Sequence, residues 1–136
     1  MLLTKIAIIG PTNCVTKSKK VKESLFKIKD RFDTVILSGG NTVGIEAEVK
    51  ENATNFKIPY YEFNPSFSGH NQYSFLDENY FGKTYHYTQL IDRYDRMLRY
   101  GIDVLVFGMD DGSNLDKLYI NFLKKVDKLK IKTIFI

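Results

Sequence analysis

Apolar positions along the chain alternate between two kinds of run. Short, nearly unbroken aliphatic stretches occur at Thr4–Gly10, Thr34–Ser38, Ile58–Phe63, Asp103–Gly108 and Lys132–Ile136. Runs of this length, rich in β-branched residues and bounded by glycine or polar residues, predict strands. Between them, apolar residues recur every three or four positions. Val21, Leu25 and Ile28 predict one face of a helix that starts near Lys17, with lysines on the other face. Ile45, Val49, Ala53 and Phe56 predict a second helix over 45–56. Tyr87, Leu90, Ile91, Tyr94, Met97 and Leu98 predict a third within Lys83–Tyr100. The cleanest stripe is Leu115, Leu118, Tyr119, Phe122, Leu123, Val126 and Leu129, which predicts the fourth.

Strands that alternate with helices predict an α/β domain with a parallel sheet. The first strand reads as central, buried on both faces. Pro59 cannot donate to a ladder, so the third strand belongs at a sheet edge. With right-handed crossovers these two placements select the order 3-2-1-4-5, a three-layer Rossmann-like domain with a five-stranded parallel sheet. The whole chain, 1–136, is expected to form that one domain, with no internal repeat and no linker. Residues 64–82 have no clear period, and contain proline, two glycines and several aromatics. A stretch of this kind fits a lid or binding loop, and equally a packing insertion.

Composition narrows the class. Hydrophobic residues make up 43% and charged residues 26%, ordinary for a soluble globular domain. No stretch of 18 or more apolar residues is present, so a membrane partner is not expected. The start, Met1-Leu2-Leu3-Thr4-Lys5, lacks the layout of a signal peptide. The single cysteine, Cys14, excludes an internal disulfide framework, and with that start it sets the expectation of a cytoplasmic protein. The net charge of +4 is compatible with phosphate-bearing ligands or nucleic acid and demands neither.

Candidate chemistry concentrates where strands end. In a parallel sheet all strand C-termini lie on one edge, and three of the first four predicted strands end in glycine: Gly10, Gly39-Gly40 and Gly108, with Gly112 just beyond. Glycine lets bare backbone approach a ligand, and the helix that follows offers unpaired N–H groups to phosphate or carboxylate. The switch point of the expected sheet order lies on the same edge. Candidate ligand-binding residues are therefore Gly10, Pro11, Thr12, Asn13, Ser38, Gly39, Gly40, Asn41, Thr42, Gly44, Gly108, Asp111, Gly112, Ser113 and Asn114. Any one of these turns taken alone also reads as a plain strand-to-helix connection. Glu46, one turn into the second helix, can bind a ribose hydroxyl, act as acid or base, or stand as a solvated carboxylate.

Sharper signatures are missing. Neither G-x-G-x-x-G nor G-x-x-x-x-G-K-[ST] occurs. His70 and His86 lack metal-ligand spacing with Cys14, so no metal site is expected. No cofactor is required, though Asp110-Asp111 can hold Mg²⁺ against a phosphate ligand. An acidic turn before a helix is stabilising in its own right. Cys14 stands in the loop after the first strand with no evident base beside it, which disfavours a nucleophilic role.

Taken together, Ile8-Ile9-Gly10, Ser38-Gly39-Gly40 with Gly44 and Glu46, Arg93 with Met97, and Asp103 to Gly112-Ser113 resemble the SLOG superfamily of Rossmann-like domains. That group includes the DNA-processing protein DprA, the cytokinin-activating LOG enzymes and small one-domain YspA-like proteins, the branch this chain is most similar to. The chain departs from the pattern at Pro11-Thr12, where the family has Ser-Arg, and at Glu46, where Asp is usual. Tyr94 follows Arg93 in place of Asn, and Ser113 replaces Thr. Asp116 stands where LOG enzymes carry a catalytic Glu. The resemblance implies a nucleotide-like ligand, with Arg93 as a charge partner, more strongly than it implies LOG-type hydrolysis.

Three functional expectations follow. The first is a module that senses or sequesters a nucleotide or nucleotide-derived molecule at the glycine-rich edge. The second is a nucleotide-processing hydrolase, cleaving an N-glycosidic or phosphoester bond with Glu46 or Asp116 as acid/base. The third is DprA-like binding of single-stranded DNA. Self-association as a homodimer is a further expectation drawn from the resemblance.

Overall fold

The structure, a computed structural model, describes residues 4–11, 18–31, 33–39, 44–63, 87–109, 115 and 117–136, and of residues 18 and 87–92 the backbone alone. Five strands alternate with four helices: β1 (Thr4–Ile9), α1 (Ser18–Ile28), β2 (Thr34–Ser38), α2 (Ile45–Asn55), β3 (Tyr60–Glu62), α3 (Tyr87–Tyr100), β4 (Val104–Phe107), α4 (Lys117–Lys128) and β5 (Lys132–Phe135). The sheet is parallel throughout, in the order β3-β2-β1-β4-β5, as the pattern predicted.

The strands separate two apolar layers because successive side chains point to opposite faces. Ile8, Ile36 and Val106 pack with Val21 and Leu25 of α1 and with Ile45, Val49 and Ala53 of α2. Ala7, Ile9, Leu37, Leu105 and Phe107 pack with Tyr94 and Met97 of α3 and with Leu118, Phe122 and Val126 of α4. β1 is the hinge of this arrangement, with Ala7, Ile8 and Ile9 all buried. Across the outer surface of the second layer, Lys125 of α4 reaches Asp95 of α3 at 2.7 Å.

Local sequence explains where elements stop. Pro59 sits just before the edge strand β3, where only its carbonyl is needed; it accepts from the Ile36 N–H at 2.9 Å. α2 ends with Lys57 at φ 58°, and the Ile58 N–H returns to the Ala53 carbonyl at 2.9 Å. α4 ends the same way, with Lys130 at φ 59° and Ile131 N–H on the Val126 carbonyl at 3.2 Å. Both are left-handed caps that satisfy carbonyls left over at a helix end. They deliver the chain directly into the outer strands β3 and β5.

Candidate functional site

The C-terminal edge of the sheet is where the sequence placed the site, and the described part of that edge is organised by the first turn of α2. Gly44 caps the helix at φ 81°, ψ −153°, a conformation open to glycine and strained for any residue with a Cβ. That conformation turns Ile45 and Glu46 inward over the strand ends. Both are fully buried.

Ile45 covers the switch point. The N–H of Gly108 donates to the Ile9 carbonyl at 3.0 Å, so the ends of β1 and β4 lie side by side. A Cβ built on Gly10 would lie 2.9 Å from Ile45 Cγ1, and one on Gly108 would lie 2.9 Å from Ile45 Cδ1. The space cleared by these two glycines is therefore filled by an isoleucine of the same chain.

Glu46 spans the end of β2. Its Oε2 accepts the Tyr94 phenol proton at 2.5 Å, linking α2 on one face of the sheet to α3 on the other. Gly39 lies beneath that bond. A Cβ there would stand 2.6 Å from Glu46 Oε1 and 2.9 Å from Tyr94 Cε1, closer than packed atoms tolerate. Arg93, also buried, donates from Nη1 to the Gly39 carbonyl at 3.1 Å and stacks its guanidinium 4.6 Å from the Tyr94 ring centroid. Burial drives the Tyr94 phenol well above its ordinary range, opposed by the nearby Arg93 charge and reinforced by Glu46. Tyr94 is thus held as a neutral hydrogen-bond donor. Ser38, the last residue of β2, is buried with its hydroxyl donating to the Ile8 carbonyl at 2.8 Å.

Of the sequence candidates, the structure brings together Gly10, Ser38, Gly39, Gly44, Glu46, Arg93 and Gly108, with Pro11 half-buried at the mouth of the loop after β1. Thr12, Asn13, Gly40, Asn41, Thr42, Asp111, Gly112, Ser113, Asn114 and Asp116 lie outside the described residues. So do Cys14, His70, His86 and the 64–82 stretch. At Gly10, Gly39 and Gly108 the structure supplies a packing reason for glycine that strand-end position alone did not reveal. Glu46 is neither solvated nor turned outward: its carboxylate is part of the interior.

Sequence reasoning passed over a second polar group on the same edge. Glu62 pairs in register with Ser38, at the end of β3, and its Oε1 accepts from the Tyr60 phenol at 2.8 Å. Lys50 and Glu46 of α2 both act on Glu62 through their charges. The visible signal was a tyrosine and a glutamate two residues apart, hence on one face of a strand. Among the described residues, no cluster of three metal-ligating side chains exists and no helix is long and apolar enough to cross a membrane. A cleft of about 10 Å³ between α3 and α4, lined by Tyr94, Asp95 and Lys125, has room for roughly one water.

No family model matches the sequence, and no curated protein aligns with it. Solved structures do share its fold. The molybdenum cofactor binding protein of Rippkaea orientalis superposes with a TM-score of 0.67 at 16% identity, over 99% of this chain and 77% of that one. The Moco carrier protein of Chlamydomonas reinhardtii gives 0.64 at 17%, over 98% and 76%. DNA processing protein A of Helicobacter pylori, described for its single-stranded DNA binding mode, gives 0.67 at 17%, over 98% and 65%. DprA is one of the proteins named in the resemblance above, and these likenesses show that the chain shares its Rossmann-like fold.

Proposed function

We propose that the protein binds a nucleotide or nucleotide-derived small molecule at the C-terminal edge of its sheet, as a sensing or sequestering module. The observation that carries this reading is the anchoring of Gly39. Its carbonyl is held by Arg93 and its Cα is roofed by the Glu46–Tyr94 bond, at the point where β2 hands the chain to residues 40–43 and the N-terminus of α2. Fixed backbone at a helix N-terminus, beside a switch point, is where open α/β sheets take anionic ligands. Fold neighbours named for binding or carrying the molybdenum cofactor, a small molecule, agree with that class of ligand. Phosphate would be taken by the amides of Gly39, Gly40, Asn41, Gly112 and Ser113, with Mg²⁺ as an optional companion held by Asp110 and Asp111.

A binding role is preferred to hydrolysis because Glu46 is fully buried and committed to Tyr94, a positioning group rather than a proton carrier. Asp116 would have to act without it. Thermal denaturation against a panel of nucleoside mono-, di- and triphosphates tests the proposal. A ligand at one hundred times its Kd stabilises the native state by about 2.7 kcal/mol, so a true ligand gives a clear rise in Tm. No shift with any nucleotide would remove this reading.

A second reading, binding of single-stranded DNA, is favoured by the fold likeness to DNA processing protein A and by the net charge of +4. It requires an affinity for oligonucleotides that falls steeply as salt rises. Binding that is absent or indifferent to salt dismisses it.

A further inference from the structure

Glu62 occupies an unusual position for a carboxylate. It ends the edge strand β3 level with Ser38, on the same rim as Gly39, and it is half-buried. Its Oε1 accepts one hydrogen bond, from Tyr60, and among the described residues Oε2 accepts none. Four groups face it. Tyr60 comes from its own strand, Lys50 and Glu46 come from α2, and the Ser38 hydroxyl of β2, which donates to the Ile8 carbonyl, lies beside Tyr60. Lys50 attracts and Glu46 repels, so neither fully compensates the carboxylate for its lost water. The result is an acceptor with one uncommitted oxygen, held at a fixed angle by a phenol, at the sheet edge where ligands bind in this fold class.

We propose that Glu62 is a further binding residue of this rim, its uncommitted oxygen accepting a hydrogen bond from a donor on the ligand, a sugar hydroxyl or an exocyclic base amine. The assignment rests on the small-molecule reading above and extends its site from β2 to β3. Burial, the largest influence, lifts the Glu62 carboxyl from its ordinary 4.5 to about 7. A donor that bonds the charged form lowers it again, so binding near neutral pH expels protons.

Calorimetry at pH 7 in buffers of different ionisation enthalpy measures that release directly. The probes are guanosine monophosphate, its 2′,3′-dideoxy analogue and inosine monophosphate. The expected result is release of up to about half a proton per guanosine monophosphate bound. Glu62→Gln abolishes the release and weakens binding by about tenfold or more. Loss of the release with the dideoxy analogue assigns the donor to the sugar, and loss with inosine monophosphate assigns it to the exocyclic 2-amino group. Tyr60→Phe keeps the carboxylate but removes the bond that lowers its pKa, so the pH of maximal release moves upward. That variant decides the matter should Glu62→Gln fold poorly. Equal affinity and proton count in wild type and Glu62→Gln, or an unmoved profile in Tyr60→Phe, overturns the role of Glu62 and leaves the rim site standing. Failure of all three probes to bind wild type, together with no thermal shift from any nucleotide of the panel above, overturns both.

Discussion

The Tyr94 phenol and the Glu46 carboxylate meet at 2.5 Å above the end of β2, although the two residues belong to helices on opposite faces of the sheet. The bond is buried from both sides, which makes it expensive to break. Tyr94→Phe removes one donor from a fully buried carboxylate and is expected to cost about 1–3 kcal/mol of stability. Urea denaturation measures it. A loss within about 0.5 kcal/mol, the usual scatter of neutral surface changes, would show that the bond contributes little.

Gly39→Ala tests the space beneath that bond. A methyl group there would press on Glu46 Oε1 and on the Tyr94 ring, and overpacking of this kind costs about 1–3 kcal/mol. The cost should shrink in an Glu46→Ala background, where one of the two obstructing groups is gone. Strict additivity in the double-mutant cycle would mean that the two positions do not press on each other.

These two residues also mark the boundary of what the sequence made legible. The strands and helices could be read from period alone, and so could the sheet order, because Pro59 marked an edge and the unbroken run at β1 marked a centre. The glycines at the strand ends were visible too. Their reason was not: Gly39 accommodates a glutamate seven positions on and a tyrosine from another helix, a three-body contact with no trace in any local pattern. Glu46 looked solvated because its partner is 48 residues away. Tyr60 and Glu62 belong to a strand of three residues, too short for alternation to stand out.

Glu62 gives the protein a pH dependence with a definite sign. Its carboxyl is raised to about 7 in the native state from an ordinary 4.5, so between those values the native state holds more protons than the unfolded chain. The contribution is fully present below about pH 4.5 and is lost as pH rises through about 7. Glu62→Gln, always neutral, should therefore gain stability relative to wild type between pH 5 and pH 8. Partial exposure screens the effect, so the direction of the change is the test. Denaturation midpoints separated by the same interval at both pH values would contradict it.

The Lys125–Asp95 pair is expected to matter much less. Both side chains are partly exposed, and such pairs contribute about 0.2–1 kcal/mol. A double-mutant cycle with Lys125→Met and Asp95→Asn should give a coupling in that range in dilute buffer, decreasing as salt is added. A coupling above about 2 kcal/mol, unaffected by salt, would show that α3 and α4 depend on this contact far more than its exposure indicates.

The tethering of Gly39 on one side and the wedging of Ile45 between Gly10 and Gly108 on the other have a thermodynamic corollary. Gly39, Gly44 and Ile45 are set by contacts and backbone geometry within the fold, whatever molecule arrives. A guest seated against these posts would not have to immobilise them on arrival, which lowers the ordering cost that its own contacts must offset.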